Sequence, residues 1–433
     1  MLFGRDRGFV FRVLRIRGSP GRDGRGLHRL GCTEMTRSQP NIIVIGAGLQ
    51  GSSVALALAA KGIRSVLLER QPQPLLAASL RNEGKIHLGF VYALSAGTAT
   101  TETMLRGATS FAGFLDAWCG PLPWQQWQSA PFRYLVMPDS LLSADQLAAA
   151  YCRLDETAAQ IATDGPLDYL GEPLGRLWSE PTPASALVRM TQSLPWFETV
   201  ERSIDPRLLT AAVRKRVEAE PLIDLRCGLE VQVAEARGSD FQLTTSAGLL
   251  TADAVVNCAW EQRQRLDRMG AAAVAEKLLS YRVKHQILIR PRRPTPLLPV
   301  TMVQGPFGDI VPWPDGSIYL SWYPTGRTYF GSSPPPEPLD DPAVVRQVAE
   351  ESLTVMADLF PDLQGATIVS SLPGIIVARG DSDVDRPDSG LHDRAAIGVR
   401  SSGCWWTIET GKLTTAPWFA EQAAQQIAHA FGI

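Results

Sequence analysis

Apolar β-branched residues fill Asn41–Gly46, and small apolar residues follow with helical spacing over Ser52–Lys61. The first pattern predicts a buried strand and the second a helix packed on it. Gly62 closes that helix, and Ser65–Glu69 reads as a second buried strand. Asp205–Glu218 has amphipathic spacing (Leu208, Leu209, Ala212, Val213, Val217) and leads into expected strands at Leu222–Leu225, Leu229–Val233 and Phe241–Thr245. Ala252–Ala259 is a further buried strand, expected to return to the first sheet. Residues 96–199 are rich in Pro and Trp, with helical islands such as Ala144–Ala162. Residues 281–330 read as several strands, at Val283–Ile289, Asp309–Trp313 and Ser317–Trp322, with turns at Asp315-Gly316 and Gly326. Gly331–Asp341 reads as a linker or edge loop because of its proline run. Near the end, Ala395–Val399 and Cys404–Ile408 resemble strands, and Glu409–Pro417 opens a helix that runs on to Ala430.

The turn of the first unit is Gly46-Ala47-Gly48-Leu49-Gln50-Gly51, a GxGxxG placed between a strand and a helix. Gly46 permits the tight turn, Gly48 lets the backbone approach a pyrophosphate, and Gly51 lets the helix sit close to the strand. The helix N-terminus supplies N–H groups and a positive pole. Glu69, at the end of the second strand, is placed to take the ribose hydroxyls of an adenosine. The expected ligand is therefore a dinucleotide. Ala77–Ala93 is polar and glycine-spaced with no amphipathic period, which suits a backbone passing close beneath a flat ring. Gly411-Lys412-Leu413-Thr414-Thr415 begins the last helix and offers N–H groups and a cation to an anionic ring edge.

Composition narrows the classes. Of 433 residues 45% are hydrophobic and 20% charged, as in ordinary globular proteins, and no apolar run approaches the roughly 18 residues of a spanning helix. A transmembrane protein is excluded, while peripheral membrane contact stays open. Residues 1–34 carry eight arginines, no lysine and three acids, and read as a disordered or mis-started leader, so the net charge of −2 hides an acidic body without a basic face for nucleic acid. The six cysteines are far apart and form no CxxC pair, which argues for a reducing, cytoplasmic setting and against structural zinc. No metal-spaced cluster and no nucleophile elbow occurs.

Together, the GxGxxG unit, Arg81-Asn82-Glu83-Gly84-Lys85-Ile86-His87-Leu88-Gly89, the Ala252–Ala259 strand and Gly411–Thr415 resemble the D-amino-acid-oxidase superfamily of FAD-dependent oxidoreductases. The likeness is nearest to the branch of glycerol-3-phosphate and L-2-hydroxyglutarate dehydrogenases. It implies an α/β fold: a Rossmann-like FAD-binding domain (40–95, 200–265 and 365–433) and a discontinuous, mainly antiparallel β-sheet substrate domain (96–199 and 266–364). It implies FAD held by Gly46, Ala47, Gly48, Leu49, Gln50, Gly51 and Glu69. Arg70 would border the adenine, with Val231 supplying a backbone contact there. Ser79, Arg81, Asn82 and Gly84 would follow the pyrophosphate and ring, and Gly411, Lys412, Leu413 and Thr414 would sit at the pyrimidine end. Two positions depart from the pattern. Ile376 stands where an anion-clamping Arg is usual, with Arg379 nearby as a substitute, and Trp260 follows Ala259 where a Gly is usual.

His87 is the first candidate base, because an imidazole beside the flavin can take a hydroxyl proton as hydride leaves. His285 is the second. Arg282, Lys284 and Arg327 are candidate anion binders, and Trp322 and Tyr323 candidate pocket aromatics; His28 and His429 are given no role. The expected activity is FAD-dependent removal of hydride from a CH–OH carbon of a small polar, anionic substrate, as a dehydrogenase or oxidase whose electron acceptor (oxygen, a quinone or an electron-transfer protein) is left open. The alternatives are oxidation of a CH–NH bond and a flavin-binding partner protein without turnover.

Overall fold

The computed structural model describes residues 40–180, 194–275 and 278–433; the leader considered above lies outside the described residues. Ile42–Ile45 pairs in parallel with Ser65–Leu68 on one side and Ala254–Asn257 on the other. Ile223–Arg226 extends the sheet beyond Ser65–Leu68, Trp405–Glu409 extends it beyond Ala254–Asn257, and Gly398–Ser402 closes it as an antiparallel edge. All four residues of Ile42–Ile45 and of Ala254–Asn257 are buried, as expected of parallel strands covered on both faces. The helix Leu49–Ala60 packs against Ala416–Ala430 and Pro206–Ala219. It is buried all round from Leu49 to Leu58, and Gly51, Ser52, Ser53, Ala55 and Ala57 among these are small enough for close helix approach. Asp205 caps Pro206–Ala219 by accepting the Arg207 N–H, with Pro206 preset for the first turn.

The second sheet has nine strands. Its centre is the twelve-residue strand Leu279–Arg290, flanked by Arg327–Gly331, Ile318–Trp322 and Thr367–Arg379. Gly308–Pro312, Val300–Val303 and Arg133–Val136 continue it. Most pairs are antiparallel; Val300–Val303 and Arg133–Val136 run in parallel. Thr367–Arg379 was expected on the dinucleotide side, but its long register with Leu279–Arg290 places it here.

Two long helices were not anticipated. Ala99–Cys119 buries Met104, Leu105, Ala108, Phe111, Ala112 and Leu115 at helical spacing, a pattern obscured by four threonines and two glycines of low helix propensity. Pro342–Leu359 is capped by Asp341, whose carboxylate accepts the N–H groups of Ala343 and Val344. The strand expected at Ala395–Val399 begins three residues later, at Gly398, because Arg394 and Ala395 still belong to the loop before it.

Candidate active site

At the GxGxxG turn each glycine answers a different constraint. Gly46 has φ +93°, and a Cβ there would lie 2.8 Å from the Cys258 carbonyl oxygen; one on Gly51 would lie 1.9 Å from the Gly46 carbonyl oxygen. These two lock the turn to the returning strand and the helix. A Cβ on Gly48 would meet only Ser79 Oγ, at 3.2 Å, so this glycine keeps the turn open toward the cavity. The Leu49 N–H donates to Ser79 Oγ at 2.8 Å. Glu69 is buried, accepting the Ala47 N–H at 2.8 Å and the Gln71 N–H at 2.9 Å. Val231 and Arg70 line the same end, Arg70 being paired with Glu261 at 2.6 Å and Glu337 at 3.1 Å.

The cavity continues past Arg81 and Asn82. Arg81 donates to the Leu76 and Pro373 carbonyls, and the Asn82 amide bonds the Ala78 and Ser79 carbonyls while its oxygen accepts the Gly84 N–H. Gly84 turns the chain at φ +66°, where a Cβ would collide with the Ile204 carbonyl. Gln50 joins the starts of the first and last helices, donating to the Ala416 carbonyl at 3.1 Å and accepting from Thr410 at 3.0 Å.

At the far end stands His87, with its N–H on Thr414 Oγ1 at 2.8 Å. Its ring lies between two carboxylates: Glu83 Oε1 is 3.7 Å from Nε2 and Glu201 Oε1 is 3.5 Å from Nδ1. Burial pushes the Glu83 carboxyl up, but His87 and the charges of Lys412, Lys284 and Lys85 hold it well below the usual carboxylate range. Beyond it, Lys85 donates to Asp309 at 2.9 Å and to Thr301, with its ammonium 4.3 Å from the centre of the Phe132 ring. Lys284 approaches the other Asp309 oxygen at 3.5 Å. The Asp309 carboxyl is lowered, since these two lysines outweigh burial; the Lys284 ammonium is raised, with Tyr319 and Asp309 offsetting its burial.

Among the described residues, Lys412 and Arg394, like Arg81 and Arg265, line the cavity without a carboxylate within ion-pair distance. Arg394 donates to the Gly390 and Asp393 carbonyls, its Nε is buried without a partner, and its guanidinium lies 5.6 Å from the centre of the Tyr92 ring.

Four residues singled out from the sequence, His285, Arg379, Arg327 and Trp322, do not line the cavity. Lys284 and Gln286 line the cavity, so His285, between them on a strand, points to the other face, where it meets Thr328 at 3.2 Å and Ser371 at 3.5 Å. Arg379 is drawn to Glu409 at 2.7 Å and the Ala396 carbonyl, away from the cavity, and does not replace the clamp missing at Ile376. Arg282, the cross-strand neighbour of Ile376, does line the cavity, but it is paired with Asp383 at 2.7 Å, which also accepts from Tyr323 and Arg327. Ala47, Gly51, Gly84 and Thr414 stand behind the cavity wall as supports. The two departures from the family pattern lie close together: Trp260, at φ +43°, donates its indole N–H at 2.8 Å to the carbonyl of Ile375, the residue before Ile376. Glu83, Glu201, Asp309, Tyr92 and Arg394 were not foreseen. Glu83 carries a sequence signal, four residues before His87; Glu201 carries none that is local.

A six-stranded sheet, parallel but for one edge strand, with a glycine-rich turn opening on a long cavity, and a second large sheet forming the opposite wall, define a dinucleotide-dependent oxidoreductase architecture. The profile of the family described as FAD dependent oxidoreductase matches residues 41–426, and the chain belongs to that family. It is an FAD-dependent enzyme. Glycine oxidase from Geobacillus kaustophilus is similar in structure, with TM-score 0.63 and 17% identity over 91% of this chain and 95% of that one. L-amino acid deaminase from Proteus myxofaciens, in complex with anthranilate, gives 0.64 and 14% over 94% of each. L-alpha-glycerophosphate oxidase from Mycoplasma pneumoniae, with FAD bound, gives 0.63 and 12% over 92% and 96%. Among curated proteins none matches. No helix among the described residues is long and apolar enough to cross a membrane.

Proposed function

We propose that this enzyme oxidises a CH–OH carbon of a small anionic substrate, of the 2-hydroxy acid or polyol phosphate type, with His87 as the base. The open side of Gly48, the helix start above it and the unpaired Lys412 ammonium at the other end suit an extended dinucleotide with an anionic ring edge. In this reading Gly46–Gly51, Glu69, Arg70 and Val231 hold the adenosine half, Ser79, Arg81 and Asn82 border the middle, and Gly411–Thr414 meet the pyrimidine end. Bound FAD supplies the two-electron acceptor for the substrate hydride.

The observation that carries the CH–OH reading is His87 on the cavity wall. A hydroxyl must lose its proton as hydride departs, whereas a neutral amine expels hydride with its own lone pair and needs no base. His87 takes that proton at Nε2, and the resulting imidazolium lies between Glu83 and Glu201. Arg394 supports an anionic substrate, since its guanidinium has only backbone carbonyl partners. A second reading, oxidation of a CH–NH bond, is favoured by Glu83, an ionised carboxylate lining the cavity that could receive an ammonium.

The test is to reduce the purified flavoprotein anaerobically with hydroxy acids, polyol phosphates and amines, in the parent and in His87→Ala. The expected result is bleaching by a hydroxy acid or polyol phosphate, slowed about 10²–10⁴-fold in the variant with FAD content retained. Bleaching by amines alone establishes the second reading. Reduction at the parental rate in the variant makes His87 a structural residue.

A further inference from the structure

We propose that Glu201 is a positioning residue for His87, holding the imidazole with its proton on Nδ1 so that Nε2 faces the cavity as the proton acceptor. The inference rests on the reading of His87 as the base.

Local pairing brings the two residues together. Lys85 pairs with Ser203 and Ile86 with Arg202 in an antiparallel ladder, and the next step of that register sets His87 opposite Glu201. Glu201 is fully buried. Its carboxylate is fixed from two other directions, accepting the Leu88 N–H at 2.6 Å on Oε2 and the Tyr134 hydroxyl on Oε1. His87 Nδ1 is buried with no hydrogen-bond partner, and Glu201 Oε1 is 3.5 Å away. Closing that gap by about half an ångström gives a charge-assisted hydrogen bond.

The charges point the same way. The groups facing Glu201 are His87, Lys85 and the hydroxyls of Tyr134, Tyr151 and Tyr169. Lys85 is committed to Asp309 and Thr301, and the three tyrosines are held neutral by burial, so His87 is the remaining group able to meet the Glu201 charge. On its other side Nε2 faces Glu83 at 3.7 Å, beyond hydrogen-bond distance, and the Glu83 charge is met by Lys412, Lys284 and Lys85 as well as by His87, so it does not require a proton on Nε2. With Nδ1–H directed at Glu201, Nε2 carries the lone pair. When it takes the hydroxyl proton, the O–H bond breaks and the N–H bond forms. The oxygen pair becomes the second C–O bond, and the C–H pair leaves as hydride to the bound flavin. The positive charge that forms on the ring then lies 3.5 Å from a desolvated carboxylate.

Glu201→Gln separates this role from packing. The amide is isosteric, and its oxygen can still serve Leu88 or Tyr134. Its NH2 turned toward Nδ1 favours the other tautomer, which presents an N–H to the cavity. In long-range ¹H–¹⁵N spectra of the histidine-labelled holoenzyme, the parent should show His87 protonated on Nδ1 and Glu201→Gln should show it on Nε2. Flavin reduction in Glu201→Gln should slow about 10²–10⁴-fold, with the acid-side limb of its pH profile moved to lower pH, while Glu201→Asp, which keeps the charge, recovers most of the loss. An Nε2–H imidazole in the parent overturns the proposal whatever the kinetics, and needs no variant to fold. Parental rate and pH limb in Glu201→Gln, or equal loss in the Gln and Asp variants, also overturn it. An Nδ1–H imidazole combined with parental reduction by His87→Ala overturns the base assignment and leaves the Glu201 contact standing.

Discussion

Lys412 and His285 show how the surroundings of one residue decide what it can do. Lys412 opens on the cavity at the start of the last helix, and among the described residues no carboxylate lies within ion-pair distance of it. In the proposed reading a cation there stabilises charge developing on the ring edge, an effect of about 1–2 kcal/mol. Lys412→Met should therefore lower the two-electron potential of bound flavin by about 20–40 mV, read by equilibration with a reference dye. An unchanged potential would take Lys412 out of the flavin site. His285 is the opposite case. Burial lowers its ring to about 4, below the ordinary value of 6.5, so the folded state favours the neutral form. Its contribution to stability is complete above pH 6.5 and is lost as pH falls toward 4, with a slope of at most about 1.4 kcal/mol per pH unit. Denaturant melts between pH 6.5 and 5 should show a shallower slope in His285→Gln than in the parent. The lowered His392 leaves a residual slope in both. Flavin reduction in this variant should match the parent, because the side chain faces away from the cavity.

Elements explain which parts of the site could be read from the sequence. The GxGxxG turn, Glu69 and the Gly411–Thr415 helix start were legible as parts of the cavity wall because their geometry is local: a few consecutive residues set the turn and the helix start. The choice between His285 and Lys284 was not. Alternation along a strand says that only one of two neighbours faces the cavity, but which one depends on the face that Leu279–Arg290 turns inward, and that is fixed by its partners Thr367–Arg379 and Arg327–Gly331. Glu201 was hidden for a related reason, since it reaches His87 only through a two-residue ladder between segments more than a hundred positions apart. Where the chemistry is local the element also gives a sharp test. Gly48→Val places a branched side chain on the one glycine of the turn that faces the cavity rather than its own backbone. Most of the bound FAD should be lost while the far-ultraviolet circular dichroism stays parental. Stoichiometric FAD in that variant would remove the turn from the cofactor site.

At the scale of the whole molecule, the cavity has walls from both large sheets: Gly48, Glu69 and Leu413 stand on or beside the six-stranded sheet, and Lys284, Tyr319 and Gly374 on the nine-stranded one. Direct polar ties also join the two walls, among them Arg81 to the Pro373 carbonyl, Trp260 to the Ile375 carbonyl and Arg379 to Glu409. A ligand filling the cavity touches both walls, and its binding energy adds to the stability of both at once. By linkage, FAD at a hundred times its dissociation constant should stabilise the folded state by about 2.7 kcal/mol, and further tenfold increases should add about 1.4 kcal/mol each. Calorimetry of FAD-free protein titrated with FAD should show one transition whose midpoint climbs with the logarithm of FAD concentration. Two transitions, only one of them responding to FAD, would mean that one sheet folds without regard to the cofactor. The cavity would then be the property of a single wall, and the placement of Lys284 and Tyr319 against the bound ligand would have to be given up.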